Sequence, residues 1–187
     1  MLVEGYKLCC ANIGDSRALL ARMMPEKAPG SSWMSISLSR DHKPDEPDEK
    51  ARIEASNGRV ESYTDEEGNP LGPARVWLKD QDIPGLAMSR SVGDACAASV
   101  GCIHEPEFLE MTVVPEDKFI VVGSDGIFEF LSNEEVVKIV VPYWKIGDVK
   151  GAAEKLMQEA QDRWVVEEEV IDDITCVIVF LNTSESN

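Results

Sequence analysis

An α+β fold, with stacked sheets covered by helices, is what this sequence predicts, and three features carry the expectation. Short strand-like apolar runs recur along the 187 residues, at 6–13, 16–22, 33–39, 118–124 and 174–181. Helical patterns are grouped between these runs instead of alternating with them one by one, which separates α+β from α/β. At 43% hydrophobic, the chain can bury a core of single-domain size.

The elements follow in order. "YKLCCANI" (6–13) and "SRALLAR" (16–22) are split by Gly14 and Asp15, which supply a tight turn, so the pair reads as a hairpin. In "WMSISLS" (33–39), Met34, Ile36 and Leu38 alternate with serines, the period of a strand with one wet face. "KPDEPDEKARIEASNG" (43–58) predicts a short helix. Pro47 suits its first turn, acidic residues there complement the helix dipole, and Asn57-Gly58 gives a left-handed stop. "RVESY" and "ARVWL" flank the polar "TDEEGNPLGP" as a hairpin with a long tip. "KFIVVGS" (118–124) is apolar at consecutive positions, as in a strand covered on both faces. Ser132 and Glu135 have capping-box spacing and open a helix that Pro142 should end or bend. A second helix follows Asp148, with Leu156, Met157, Ala160 and Trp164 at helical spacing. "ITCVIVFL" (174–181) closes the fold as a strand, and a disordered tail is expected from about 182 to 187.

Charge and cysteines narrow the partners. A net charge of -17 repels nucleic acid phosphates and anionic membrane surfaces, attracts cations, and first of all makes a solvated surface. Five cysteines without a CxxC pair indicate neither a disulfide framework nor a zinc ribbon, and a reducing intracellular setting, cytoplasmic or nuclear, fits best. No apolar stretch has the length to span a bilayer, and no secretory signal is visible. "MLVEGYKLCC" enters a strand pattern at once, so either the protein begins abruptly or the chain is the back part of something longer.

Three aspartates share one context. Asp15 in "IGDSR" and Asp125 in "GSDG" directly follow apolar strands, and Asp172 in "IDDIT" directly precedes one. Carboxylates from rigid strand ends suit Mg2+ or Mn2+, which take oxygen ligands near octahedral positions with water in the remainder. Three separate turn aspartates are the plainer reading, since turns favour this residue and convergence is invisible in sequence. Other schemes fare worse. "GSDG" is not the G-x-S-x-G elbow, no GxxxxGK[ST] loop is present, and His42 and His104 make neither a triad nor a zinc site.

"ANIGDSRALL", "LSRDHKPDEPDEKARIEASNGRV", "GLAMSRSVGDACAASVGCIHEPE", "DKFIVVGSDGIFEFLSNEEVV" and "DDITCVIVFL" occur in that order. Together they resemble the PPM family, the metal-dependent serine/threonine phosphatases of the protein phosphatase 2C type, over residues 6 to 181. The "SRSVGD…GCIHEPE" form is most similar to plant and protist members. The resemblance implies an antiparallel β-sandwich flanked by helices, with metals at one end. It also implies direct attack on phosphoserine or phosphothreonine by a hydroxide bridging two Mg2+ or Mn2+ ions, without a phosphoenzyme. Carried over by motif, Asp125 and Asp172 are metal ligands, Asp15 serves a third and weaker metal, and Arg17 braces the turn. The stretch from about 57 to 86 resembles the flap beside the active site, which influences substrate choice.

The chain departs from the family pattern in places. Glu129 stands where the family commonly has an aspartate; its extra methylene still lets it reach a third metal, through water or by a shift. Asp173 replaces the usual asparagine and adds negative charge beside Asp172. The family's N-terminal Asp-Gly-His-Gly motif, whose aspartate bridges both metals, and its phosphate-holding arginine have no counterpart: "DGH" is absent from the 187 residues. The expectation is therefore one partial, N-terminally truncated phosphatase domain over 1–187, acting by family on phosphoproteins and inactive or weakly active as it stands. The rival is a pseudophosphatase or interaction module of the same fold. Open sheet edges in such a fragment predict dimers or segment exchange.

Overall fold

A computed structural model describes residues 1–24, 32–168 and 170–182; the expected tail at 183–187 lies outside the described residues. In chain order the first elements are β1 (Leu2–Glu4), β2 (Lys7–Asn12), β3 (Arg17–Met23), β4 (Trp33–Ser37), α1 (Pro47–Ala55), β5 (Gly58–Thr64), β6 (Pro70–Leu78) and β7 (Gln81–Leu86). Then come α2 (Ala95–Ala98), β8 (Glu107–Thr112), β9 (Asp117–Gly123), α3 (Asp125–Phe128), α4 (Asn133–Ile146), α5 (Val149–Glu167) and β10 (Cys176–Phe180). They form two compact units, one of Met1–Ala11, Ser16–Arg40 and Phe108–Asn187, the other of Asn12–Asp15 and Asp41–Glu107.

The larger unit is layered. One sheet has the order β1-β2-β8 and another β10-β9-β3-β4. The two faces of β3 and β9 explain the stacking. Ala18, Leu20 and Ile120 meet Leu8 and Cys10 of β2 and Val113 in one buried cluster. The alternate residues, Leu19, Ala21, Phe119 and Val121, pack with Val136, Val137 and Val140 of α4 and Ala152, Leu156 and Ala160 of α5 in another. A strand apolar on both faces must be covered on both, by a second sheet on one side and helices on the other. Each such side chain taken from water contributes about 1.5–3 kcal/mol.

That requirement corrects the first hairpin. β2 and β3 do not pair: β2 lies between β1 and β8, and β3 between β9 and β4. The link through Gly14, at φ +94°, carries the chain from one sheet to the other. The tight hairpin lies earlier, where β1 and β2 pair as Leu2↔Cys9, Val3↔Leu8 and Glu4↔Lys7. Helix α4 opens with the expected capping box, Ser132 Oγ accepting from Glu135 N at 3.3 Å and Glu135 Oε2 from Ser132 N at 2.9 Å. It continues past Pro142 to Ile146, held by its buried valine stripe. Asp148 caps α5 by accepting from Gly151 N at 2.9 Å.

In the smaller unit, β5, β6 and β7 form an antiparallel sheet over the flap-like stretch. Its core is Ile53 of α1 with Val60, Val76, Ala97, Val100 and Cys102. Asn57 sits at φ +61°, the left-handed stop its sequence announced.

Candidate metal centre

Antiparallel pairing places two of the expected ligands at one end of one ladder. β9 and β10 pair through to Gly123↔Cys176. Asp125 follows the end of β9, and Asp172 precedes the start of β10. Beyond the last pair a seam continues. Ser124 N donates to Thr175 O at 3.0 Å, Thr175 N donates to Ser124 Oγ at 3.1 Å, and that hydroxyl donates to Asp173 O at 3.0 Å. One serine therefore fixes the loop that bears Asp172 and Asp173.

The second glycine of "GSDG" has its reason here. A Cβ on Gly126 would stand 2.5 Å from Asp173 O and 3.2 Å from Ile174 Cα, so any side chain would displace that loop. Trp164 of α5 donates from Nε1 to Gly126 O at 2.7 Å and secures the same turn from the other side. A glycine between a strand and a helix thus permits the close approach of a second acidic segment.

Asp125 is half-buried, and its Oδ1 accepts from Gly126 N at 3.0 Å; Asp172 is exposed, and its Oδ1 accepts from Asp173 N at 2.7 Å. Glu129 caps the C-terminal end of α3 and is exposed. Arg17 sits over the Phe128 ring at 4.8 Å and donates to Asn133 Oδ1 at 3.1 Å, tying β3 to the end of α3 and the start of α4. Carboxylate oxygen on rigid strand ends is the donor chemistry Mg2+ and Mn2+ take, and Asp125, Asp172 and Glu129 fit it. The larger unit does not gather these three into a group with ligand atoms within 4.8 Å of one another.

Asp15 belongs to the smaller unit, where Lys43 Nζ stands 2.7 Å from its Oδ2. His42 is fully buried and structural: Gly14 N donates to its Nδ1 at 3.1 Å, and its Nε2 faces Glu107 Oε2 at 3.6 Å.

Among the described residues, the acidic trio whose ligand atoms lie within 4.8 Å of one another is Asp48, Glu49 and Glu107, which the sequence reading did not single out. Glu49 is fully buried. Its oxygens accept from Arg52 at 2.8 and 2.7 Å, from Arg90 Nη2 at 2.6 Å, and from Ser89 Oγ. Burial opposes its charge, but the hydrogen bonds from Arg52, Arg90 and Ser89 outweigh it and hold the carboxyl well below the usual carboxylate range. Two guanidinium groups already fill the place of a cation, so this trio reads as an ion-pair network of the fold. Glu49 and Arg52, three apart on a helix, were the available signal.

A family model described as Protein phosphatase 2C matches residues 1–168. A probable protein phosphatase 2C 48 of Oryza sativa subsp. japonica is 35% identical over 100% of this chain and 51% of its own length. A probable protein phosphatase 2C 52 of Arabidopsis thaliana is 40% identical over 97% of this chain and 37% of its own. The chain spans about half the length of the curated relatives it matches, or somewhat less. The crystal structure of serine-threonine phosphatase 2C from Toxoplasma gondii superposes with a TM-score of 0.79 at 22% identity, over 95% of this chain and 55% of that one, a likeness of fold. With its motifs in order, its layers in place and a family model matched over residues 1–168, the chain belongs to the protein phosphatase 2C family.

Proposed function

We propose that this chain is part of a metal-dependent phosphatase acting on phosphoserine and phosphothreonine in proteins. The observation that supports it is the seam at the end of β9 and β10, which sets Asp125 and the Asp172 loop side by side on rigid backbone. When bound there, Mg2+ or Mn2+ supplies an activated water and neutralises charge on the phosphoryl group. Asp125 and Asp172 hold the ion, Glu129 contributes from α3, and Ser124 and Gly126 keep the two acidic segments together. The sheet β5-β6-β7 shapes substrate choice as a flap. Because its residues include no counterpart of the family's bridging Asp-Gly-His-Gly aspartate, the chain by itself is inactive or weakly active.

Two further expectations belong to this reading. Five free cysteines suit a reducing intracellular compartment, cytoplasmic or nuclear. No helix among the described residues is long and apolar enough to cross a membrane. Exposed Leu2 and Val3 on the edge strand β1, Phe108 on β8 and Val177 on β10 favour self-association, which light scattering measures.

The decisive experiment assays the chain with p-nitrophenyl phosphate and a phosphothreonine peptide, with and without Mn2+. The expected result is slow, metal-dependent turnover that Asp125→Asn abolishes. Turnover indifferent to chelator and to Asp125→Asn would overturn the proposal. Tight phosphopeptide binding without turnover or metal dependence would identify an interaction module instead.

A further inference from the structure

The turn that carries Asp15 is fastened from one segment. His42 N donates to Gly14 O at 3.0 Å, and Gly14 N donates to His42 Nδ1 at 3.1 Å. Because His42 is buried and doubly bonded to the turn, its neighbour Lys43 is delivered to a fixed place, with Nζ 2.7 Å from Asp15 Oδ2. The pair is sheltered: the lysine side chain is 26% exposed and the aspartate 12%. Sheltered partners on anchored backbone lose little freedom by pairing, unlike the usual mobile surface pair. Removing Lys43 leaves the Asp15 carboxylate partly desolvated without its ammonium.

An aspartate expected to meet a metal is thus already neutralised from within the chain. We infer that Lys43 is the resident cation of Asp15: a divalent ion reaches Oδ2 of this carboxylate only by displacing the ammonium. A dipositive ion wins the exchange only at high concentration, because it must replace a pre-placed donor that costs almost no entropy to hold. The inference rests on the metal-dependent reading above and goes beyond it by naming what occupies Asp15 when metal is scarce. It also makes Lys43 a positioning residue, since it orients Asp15 without touching substrate.

The test is Mn2+ titration of the full chain, followed by electron paramagnetic resonance, for wild type, Asp15→Asn, Lys43→Met, Lys43→Arg and the double variant Lys43→Met/Asp15→Asn. Asp15→Asn should leave the low-concentration part of the wild-type isotherm unchanged. Lys43→Met should tighten the weak phase by about tenfold, equivalent to about 1.4 kcal/mol. The double variant should lose that gain, and Lys43→Arg should restore the wild-type curve. A Lys43→Met isotherm that overlays wild type, or an Asp15→Asn change that weakens the first phase, overturns the inference. The wild-type chain gives an independent readout: the Lys43 ammonium should show an exchange-protected NMR resonance that disappears as Mg2+ rises. A Lys43 ammonium that shows no such protection, or that ignores Mg2+, counts against it equally. Asp172→Asn separates the two levels. If it leaves the strong phase intact, the metal reading fails; if it removes that phase while Lys43→Met gains nothing, only the Lys43 inference fails.

Discussion

Two groups of acidic side chains, each within its own compact unit, are treated in opposite ways. Around Glu49 two of the three side-chain donors are cationic: Arg52 and Arg90 grip both oxygens, and Ser89 adds a neutral hydroxyl donor. At the end of β9 and β10, Asp125 and Asp172 accept from the backbone amides of Gly126 and Asp173. Amides orient a carboxylate without cancelling its charge. The buried acid is neutralised by cationic donors and serves the fold, whereas the exposed Asp172 is oriented by a backbone amide. The contrast to test is therefore guanidinium donors around the one against an amide donor at the other.

The largest expected effect on metal binding lies at the strand ends. Asp172→Asn removes one ligand and should weaken Mn2+ binding on the order of 100-fold, measured by calorimetry, with little change in melting temperature. Glu49→Gln should do the reverse. It removes the buried charge that Arg52 and Arg90 share, leaving them their bonds to Gly101 O, Ser89 O, Glu105 O and Glu107, and should cost about 3 kcal/mol of stability, read by denaturant unfolding, with hydrogen exchange rising in the smaller unit and Mn2+ affinity at the strand ends unchanged. A Glu49 variant that lost metal without losing stability would break the comparison. Acid sharpens it. A carboxyl held below its ordinary value contributes stability that is complete above that value and vanishes only as pH falls through the lowered one. The Glu49 contribution should therefore survive mildly acidic pH and disappear only in strong acid.

Between these extremes stands Gly126→Ala. Its Cβ would meet Asp173 O at 2.5 Å, so the Asp172 loop must move. Overpacking of this kind costs about 1–3 kcal/mol. Because the displaced atoms belong to the loop that bears Asp172, Mn2+ affinity should fall with it under the proposed metal reading. A loss of stability alone would mean that the seam serves packing only.

Much of this was legible from residues, and the failures have causes. The unbroken apolar run of β9 announced cover on both faces, the capping box announced α4, and the "GSDG" turn announced a delivered aspartate. Sheet membership was hidden, because a short Gly-Asp link serves a hairpin and a crossing between sheets equally well; only the apolarity of both faces of β3 decides. Strand β7 was not singled out: Pro84 and Gly85 interrupt any strand pattern there, yet at the edge of β5-β6-β7 a proline needs no ladder partner. β8 alternates in burial over "EFLEMT", a signal blurred because Glu107 lies on the half-buried face and Phe108 on the exposed one. The Lys43–Asp15 pair joins residues with no helical or strand spacing between them, and no local pattern encodes it.

The smallest effect tests whether exposure alone could explain the contrast. Glu135 lies on the surface, like Asp172, yet the Ser132 amide, the Ser132 hydroxyl and Arg163 hold its carboxyl down at about 2. Its charge is committed to a helix start although water reaches it. Ser132→Ala removes the cap and should cost about 1 kcal/mol, and the Glu135 titration followed by NMR should move up toward the ordinary carboxylate range. In the wild type, the capping contribution should be complete above about 4.3 and should fade as pH drops toward 2. If Glu135 kept its low value without the Ser132 hydroxyl, the residue-132 amide and the Arg163 pair would suffice to hold it. The hydroxyl would then serve the helix start alone, and the claim that each donor around an exposed acid sets its charge would fail for this one.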